Sequence, residues 1–137
     1  MNRSQQGRSG EQEAAHYLQD LGHDILARNY SARCGEIDLI TQLNERLHFV
    51  EVKKWILDQE NLEFSINRRK IHRIRRTAED FLAKNSRFLN WEKQFDVVYI
   101  SESDRCVHYI HIQLTFSSNL GKILYSNQAL AQTGFAI

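Results

Sequence analysis

From Ser9 to Leu21 the apolar residues Ala14, Tyr17, Leu18 and Leu21 follow the i, i+3, i+4, i+7 spacing of one helical face, and Gly22 supplies a stop. Carried back three residues, the same face lands on Glu11, so its carboxylate leans toward the core side; an acid this early in a helix also suits the positive end of the helix dipole. Asp24 to Tyr30 reads as a short strand, and Ser31 to Gly35 has turn character. Glu36 to Thr41 and Leu47 to Lys53 alternate as two further strands, joined as a hairpin through a loop of Leu43 to Arg46. Between Ile66 and Lys84 the residues Ile71, Ile74, Ala78, Phe81 and Leu82 recur at helical spacing, with Ser65 or Asn67 as the N-cap. Gln94 to Ile100 and Val107 to Leu114 are strand-like, separated by the polar turn 101–105. The order α-β-β-β-α-β-β predicts an α/β fold: a mixed central sheet of about five strands flanked by helices, with the third and fourth strands parallel across the second helix.

A chain of 137 residues, 42% apolar, 26% charged and with a net charge of +1, suits one globular core. No apolar run reaches the length of a membrane span. The opening MNRSQQGRSGEQ lacks the apolar stretch of a secretory signal, so the expected compartment is cytoplasmic, with no membrane partner. Cys34 and Cys106 stand too far apart in sequence for a ligand motif and read as reduced structural thiols. Residues 117–137 change character, with Lys122 the single charged side chain. The division expected is therefore a domain over 1–116 and a C-terminal extension over 117–137, either a short helix around Gln128 to Gln132 or a tail covering a sheet edge.

Chemistry enters through the hairpin. If Gln42 pairs with Leu47, Ile40 falls opposite Phe49 and Asp38 opposite Glu51, and alternation puts Asp38, Glu51 and Lys53 on the face of Ile40, Leu47 and Phe49. Two like charges there are repulsive and costly to desolvate. Lys53 offsets part of that cost if the register slips; a divalent cation such as Mg²⁺ or Mn²⁺, bound by Asp38, Glu51 and the Val52 carbonyl with Glu11 in support, offsets it by coordination. An acid on one strand followed by Glu-Val-Lys on the next is the arrangement that metal-assisted phosphodiester hydrolysis requires, with Asp38 and Glu51 holding metal and Lys53 positioning water or stabilising the transition state. The six histidines are scattered, and the closest pair, His108 and His111, points to opposite faces of a predicted strand, which argues against a histidine-built metal site.

The near-zero net charge hides a local cationic face. Arg68, Arg69, Lys70, Arg73, Arg75 and Arg76 crowd one stretch without an intervening acid, six of the eighteen basic residues of the chain. They span more than half of a helix circumference, so only some can meet one nucleic-acid backbone. Arg68, Arg69, Lys70, Arg73 and Arg76 are the candidates for phosphate contacts with DNA.

Taken together, Gly10-Glu11 with Ala14 and Tyr17-Leu18, Arg28-Asn29-Tyr30, Gly35-Glu36-Ile37-Asp38-Leu39-Ile40, Phe49-Val50-Glu51-Val52-Lys53, the helix of Arg69-Lys70, Arg73-Ile74, Ala78 and Phe81-Leu82, and Phe95-Asp96-Val97-Val98 resemble the YraN-type bacterial proteins. The resemblance spans Gly7 to Phe116. It implies a PD-(D/E)XK, restriction-endonuclease-like fold similar to archaeal Holliday-junction resolvases, with Asp38, Glu51 and Lys53 at catalytic positions, Glu11 as the helix carboxylate and Lys70 at a family position on the basic helix. It also implies a metal-dependent endonuclease acting on branched or structured DNA, with pairing into a homodimer by analogy. The alternative is a catalytically inactive nucleic-acid- or partner-binding accessory on the same fold. One departure is Lys54-Trp55, where the family usually has an arginine two residues after the motif lysine.

Overall fold

A computed structural model describes the backbone of residues 3–55, 68–101, 106–112 and 132–135, and side chains within 10–54 and 69–100. Helix α1 (Arg3–Asp20) is followed by strands β1 (Asp24–Ala32), β2 (Gly35–Leu43) and β3 (Arg46–Trp55), helix α2 (Arg68–Lys84), a short 3₁₀ turn (Ser86–Phe88), and strands β4 (Glu92–Ser101), β5 (Cys106–Ile112) and β6 (Gln132–Phe135). The strands form one mixed sheet in chain order, with β3 and β4 parallel and every other neighbouring pair antiparallel. This is the expected α/β architecture, with a sixth strand added at the β5 edge. Strands β1 to β4 carry the core and the candidate site. Among the described residues, no helix is long and apolar enough to cross a membrane.

The expected N-caps Ser65 and Asn67, and residues 128–131 of the alternative helix at Gln128 to Gln132, lie outside the described residues, while Gln132 itself opens β6.

Alternation sorts the sheet's apolar residues onto two faces. Ile40, Leu47, Phe49, Phe95, Val97 and Tyr99 pack with Ile71, Ile74, Ala78 and Phe81 of α2. Leu39, Val50, Val98 and Ile100 pack with Ala14, Ala15 and Leu18 of α1. Helix α1 stops as the glycine foretold: the amide of Gly22 (φ 98°) bonds the Gln19 carbonyl at 2.9 Å and that of His23 reaches the Leu18 carbonyl at 3.0 Å, a Schellman closure. Leu21 therefore sits in the cap and is 41% exposed, while Ala15 takes the buried place expected of it.

The hairpin register is as expected, Gln42 against Leu47 and Ile40 against Phe49, but the loop is shorter. Leu43 and Arg46 also pair, leaving only Asn44 and Glu45, at φ 50° and 59°. Positive φ at both central residues gives a turn whose twist matches the flanking strands, although glutamate is an unusual occupant. Arg46 gains a further anchor in β4, where Nε lies 2.9 Å from the Glu92 carboxylate.

On the α1 face, polar groups are buried in pairs. His23, delivered by the end of α1, places Nδ1 2.7 Å from Thr41 Oγ1. Its ring meets that of His48 edge to face at 4.6 Å, and His48 Nδ1 lies 2.6 Å from Asp96 Oδ2. An ionised carboxylate only accepts, so the ring nitrogen donates. Asp96 is fully buried, and removing one partner of such a pair costs far more than the intact pair contributes. Asp96→Ala is expected to lower unfolding stability by about 3 kcal/mol or more, read by urea denaturation, and His48→Leu/Asp96→Leu to recover much of the loss; an Asp96→Ala protein as stable as wild type would contradict this account.

Candidate metal and phosphate site

The site lies where the β2–β3 ladder runs out. The paired residues extend from Leu43–Arg46 to Leu39–Val50, and one step further Asp38 Oδ2 accepts the amide of Val52 at 2.8 Å. A carboxylate thus takes a position that a backbone carbonyl would otherwise fill. The neighbouring strand is distorted at the same place. Arg28 pairs with Leu39 and Tyr30 with Ile37, and between them Asn29 adopts a φ of 50°, a left-handed conformation that asparagine enters more readily than most residues. Ile37 and Ile40 consequently join the same cluster, on the α2 side, although three residues apart. Strict alternation does not allow that.

Asp38 is half-buried among acids. Burial is the largest influence on its carboxyl, pushing it up from 3.8 to about 7, with the negative charge of Glu51 next and those of Glu11 and Glu36 weaker. The Val52 amide works in the opposite direction. Glu11 reaches this neighbourhood from α1, as its place on the helical face implied. Gly10 beside it lets the stem of Lys54 lie across the helix, since a Cβ there would come within 2.9 Å of Lys54 Cε.

Glu51 is buried, and its Oε1 is 2.5 Å from Nζ of Lys70, in the first turn of α2. Burial pulls the Lys70 ammonium down, but its hydrogen bond and attraction to Glu51 outweigh this and leave it raised. Lys53, the next residue of β3 on that face, is lowered, first by burial and then by the adjacent Lys70 charge, with which its amine is hydrogen-bonded. Asp38, Glu51, Lys53 and Lys70 therefore form one cluster. Glu51 and Lys53 meet Lys70 on the α2 side, while Asp38 is under the influence of Glu51 from that side and Glu11 from α1.

Among the described residues no three carboxylate, imidazole or thiol groups are grouped to hold an ion on their own. A hard dication would draw on the carboxylates of Asp38 and Glu51 together with the Val52 carbonyl. The donor types suit Mg²⁺ or Mn²⁺, and the raised Asp38 carboxyl records a place where negative charge is costly until positive charge arrives.

Beside the cluster a cleft of about 410 Å³ opens between the β1–β2 turn and the start of α2, lined by Gly35, Glu36, Arg69, Lys70, Arg73 and Ile74. Of the cationic candidates, Arg69, Lys70 and Arg73 line this cleft, Arg76 is exposed beyond its lining, and the side chain of Arg68 lies outside the described residues. Arg75 is turned to Glu79, 3.3 Å away. Sequence reasoning overlooked Glu36, although its place two residues before Asp38 was a usable signal. It also left Lys70 without its Glu51 partner, because helical spacing does not fix a helix's rotation against a sheet.

The Asp38 shift has a direction in pH. Its folded carboxyl holds a proton that the unfolded chain has released, so the contribution of Asp38 to stability falls as pH rises from about 4 to 7 and is then level, by an amount on the order of 4 kcal/mol. With metal chelated, Asp38→Asn is expected to match wild type near the acid end of this window and exceed it clearly above the upper end, in denaturation curves across pH. A constant gap between the two proteins would contradict the burial of a costly charge here.

The profile of the uncharacterised protein family UPF0102 matches residues 10–100. A UPF0102 protein of Lachnoclostridium phytofermentans is 39% identical over 105 residues, covering 76% of this chain and 89% of its own. One from Leptospira interrogans is 35% identical over 114 residues (80% and 96%), and one from Sulfurihydrogenibium sp. is 32% identical over 118 residues (85% and 98%). The matched region contains α1 from Gly10, strands β1 to β3, α2 and nearly all of β4, and with them every residue of the cluster. The chain belongs to the uncharacterised protein family UPF0102.

Proposed function

We propose that the protein is a metal-dependent nuclease-like enzyme that hydrolyses phosphodiester bonds in DNA, branched or otherwise structured forms included. The observation that carries this reading is the Asp38–Glu51 pair, two acids in a half-buried place with Lys53 beside them and a cationic cleft alongside. The carboxylates of Asp38 and Glu51 and the carbonyl of Val52 would hold Mg²⁺ or Mn²⁺. When bound, such an ion lowers the pKa of a coordinated water and neutralises charge on the phosphate. Lys53 Nζ, beside Glu51 and hydrogen-bonded to Lys70, is suited to orient an attacking water or to stabilise the charge that develops on the phosphate. Glu11 supports the carboxylates from α1, and the arginines of α2 hold the strand.

One observation favours a second reading. Lys70 already neutralises Glu51, so a protein that keeps this pair permanently would be a DNA- or partner-binding accessory on a nuclease-like fold.

Metal binding and cleavage separate the two. Mg²⁺ or Mn²⁺ is expected to raise the melting temperature of wild type and leave Asp38→Ala unmoved. On a panel of single-stranded, duplex and branched DNA, metal-dependent cleavage is expected from wild type and a loss of about 100-fold or more from Lys53→Ala. Equal metal responses in wild type and Asp38→Ala, with no cleavage of any DNA, would establish the accessory reading instead.

A further inference from the structure

We infer that the cleft between the β1–β2 turn and α2 is a subsite for a single nucleotide phosphate, and that Arg69 and Arg73, not the whole basic helix, contact it. The inference rests on the nucleic-acid reading above and specifies which part of the surface takes the strand.

Its basis is the division of the helix by the fold. Residues four apart on an α-helix lie ~40° apart around the axis, so Arg69 and Arg73 form one stripe. Ile71 and Ala78 on the far side are buried against the sheet, and Ile74, buried with them, also contributes to the cleft lining. Lys70 and Thr77 border the Arg69–Arg73 stripe on the flank facing β2 and β3. Lys70 reaches Glu51, and Thr77 packs where a Cβ on Gly35 would stand 3.4 Å from its Oγ1 and from Arg73 Cβ. The turn and the helix are therefore in near contact at that end, and the cleft opens over Arg69, Lys70 and Arg73. Arg75 pairs with Glu79, and neither Arg75 nor Arg76 belongs to the cleft lining.

The chemistry of the lining selects the ligand. Three cations, two of them planar guanidinium groups suited to bidentate contacts, favour phosphate oxygens. The volume of about 410 Å³ falls within the range of small-ligand sites. Exposed Glu36 is the opposing charge, with Ser31 Oγ 3.5 Å from its carboxylate, and it weakens the attraction for any anion in the cleft. Lys70 belongs to both features, so a phosphate here lies next to the carboxylate cluster and shares the ammonium that Glu51 now holds.

The test uses thymidine 3′,5′-bisphosphate as probe, with the full chain in chelator at constant ionic strength, and isothermal titration calorimetry as readout. Arg69→Gln and Arg73→Gln are each expected to weaken binding about tenfold or more, and Glu36→Gln to tighten it. Arg87→Gln, whose guanidinium lies 4.5 Å from the Phe88 ring centroid in the 3₁₀ turn, is expected to bind as wild type does. Melting curves identify any variant that fails to fold, and a gain of affinity in Glu36→Gln cannot arise from misfolding. Unchanged affinity in folded Arg69→Gln and Arg73→Gln, or an equal loss in Arg87→Gln, overturns the subsite. Cleavage of DNA by wild type alongside such unchanged affinity would reject the subsite and keep the nuclease; losses in the arginine variants without cleavage of any DNA would keep the subsite and reject the nuclease.

Discussion

Placing two carboxylates near one another in a half-buried setting is unfavourable unless positive charge is brought to them, and the arrangement of this fold supplies it. Because β3 and β4 are parallel, the chain must cross over between them, and α2 makes that crossing on the face of Leu47 and Phe49. The burial that fixes α2 uses Ile71 and Ile74. Lys70 directly precedes Ile71, so the packing that closes the core also brings an ammonium to Glu51. Charge compensation at the site is thus a by-product of a hydrophobic contact, which gives it a rigid support.

Much of this was legible in the chain. Periodicity located both helices and the first five strands, and the hairpin pattern set Ile40 against Phe49, which put Asp38 close to Glu51 before any coordinates. What escaped has identifiable causes. The two-residue turn was missed because Glu45 lacks the chemistry that usually marks a positive φ. Helix α1 begins before Ser9 because its first turns carry no apolar stripe to announce it. β6 adds only four residues to a sheet edge, in a stretch that was read equally well as a helix or an edge-covering tail. The left-handed Asn29 interrupts a strand whose neighbours keep their pairing, and the alternation of apolar and polar residues around it does not mark the break.

That distortion bears on the site as well as on the strand. A hairpin that stayed regular past Leu39 would give Val52 a backbone acceptor and leave Asp38 as an ordinary alternating side chain. Here the ladder ends, the carboxylate takes over the Val52 amide, and Asn29 adopts its unusual conformation directly alongside. Local strain held in place by a surrounding core is a common property of sites where side chains must be aimed.

Two acids of the sheet, buried Asp96 and half-buried Asp38, are met differently by the fold. Asp96 is fully enclosed, but His48 stands 2.6 Å away and answers it from within the molecule; nothing from solvent is required. Asp38 receives one amide bond and lies under the influence of Glu51, Glu11 and Glu36; the ammonium groups of Lys53 and Lys70 attract it as well, but that of Lys70 is paired with Glu51. Internal pairing therefore satisfies Asp96 and leaves Asp38 with an excess of negative surroundings. A fold selected only for stability would relieve this cheaply, by replacing Asp38 or one of the three glutamates with an amide. Asp38 beside Glu51, with Glu11 and Glu36 acting on it more weakly, makes physical sense if positive charge arrives from outside, and the cationic cleft on the adjoining flank would then offer a place for the anion that accompanies it.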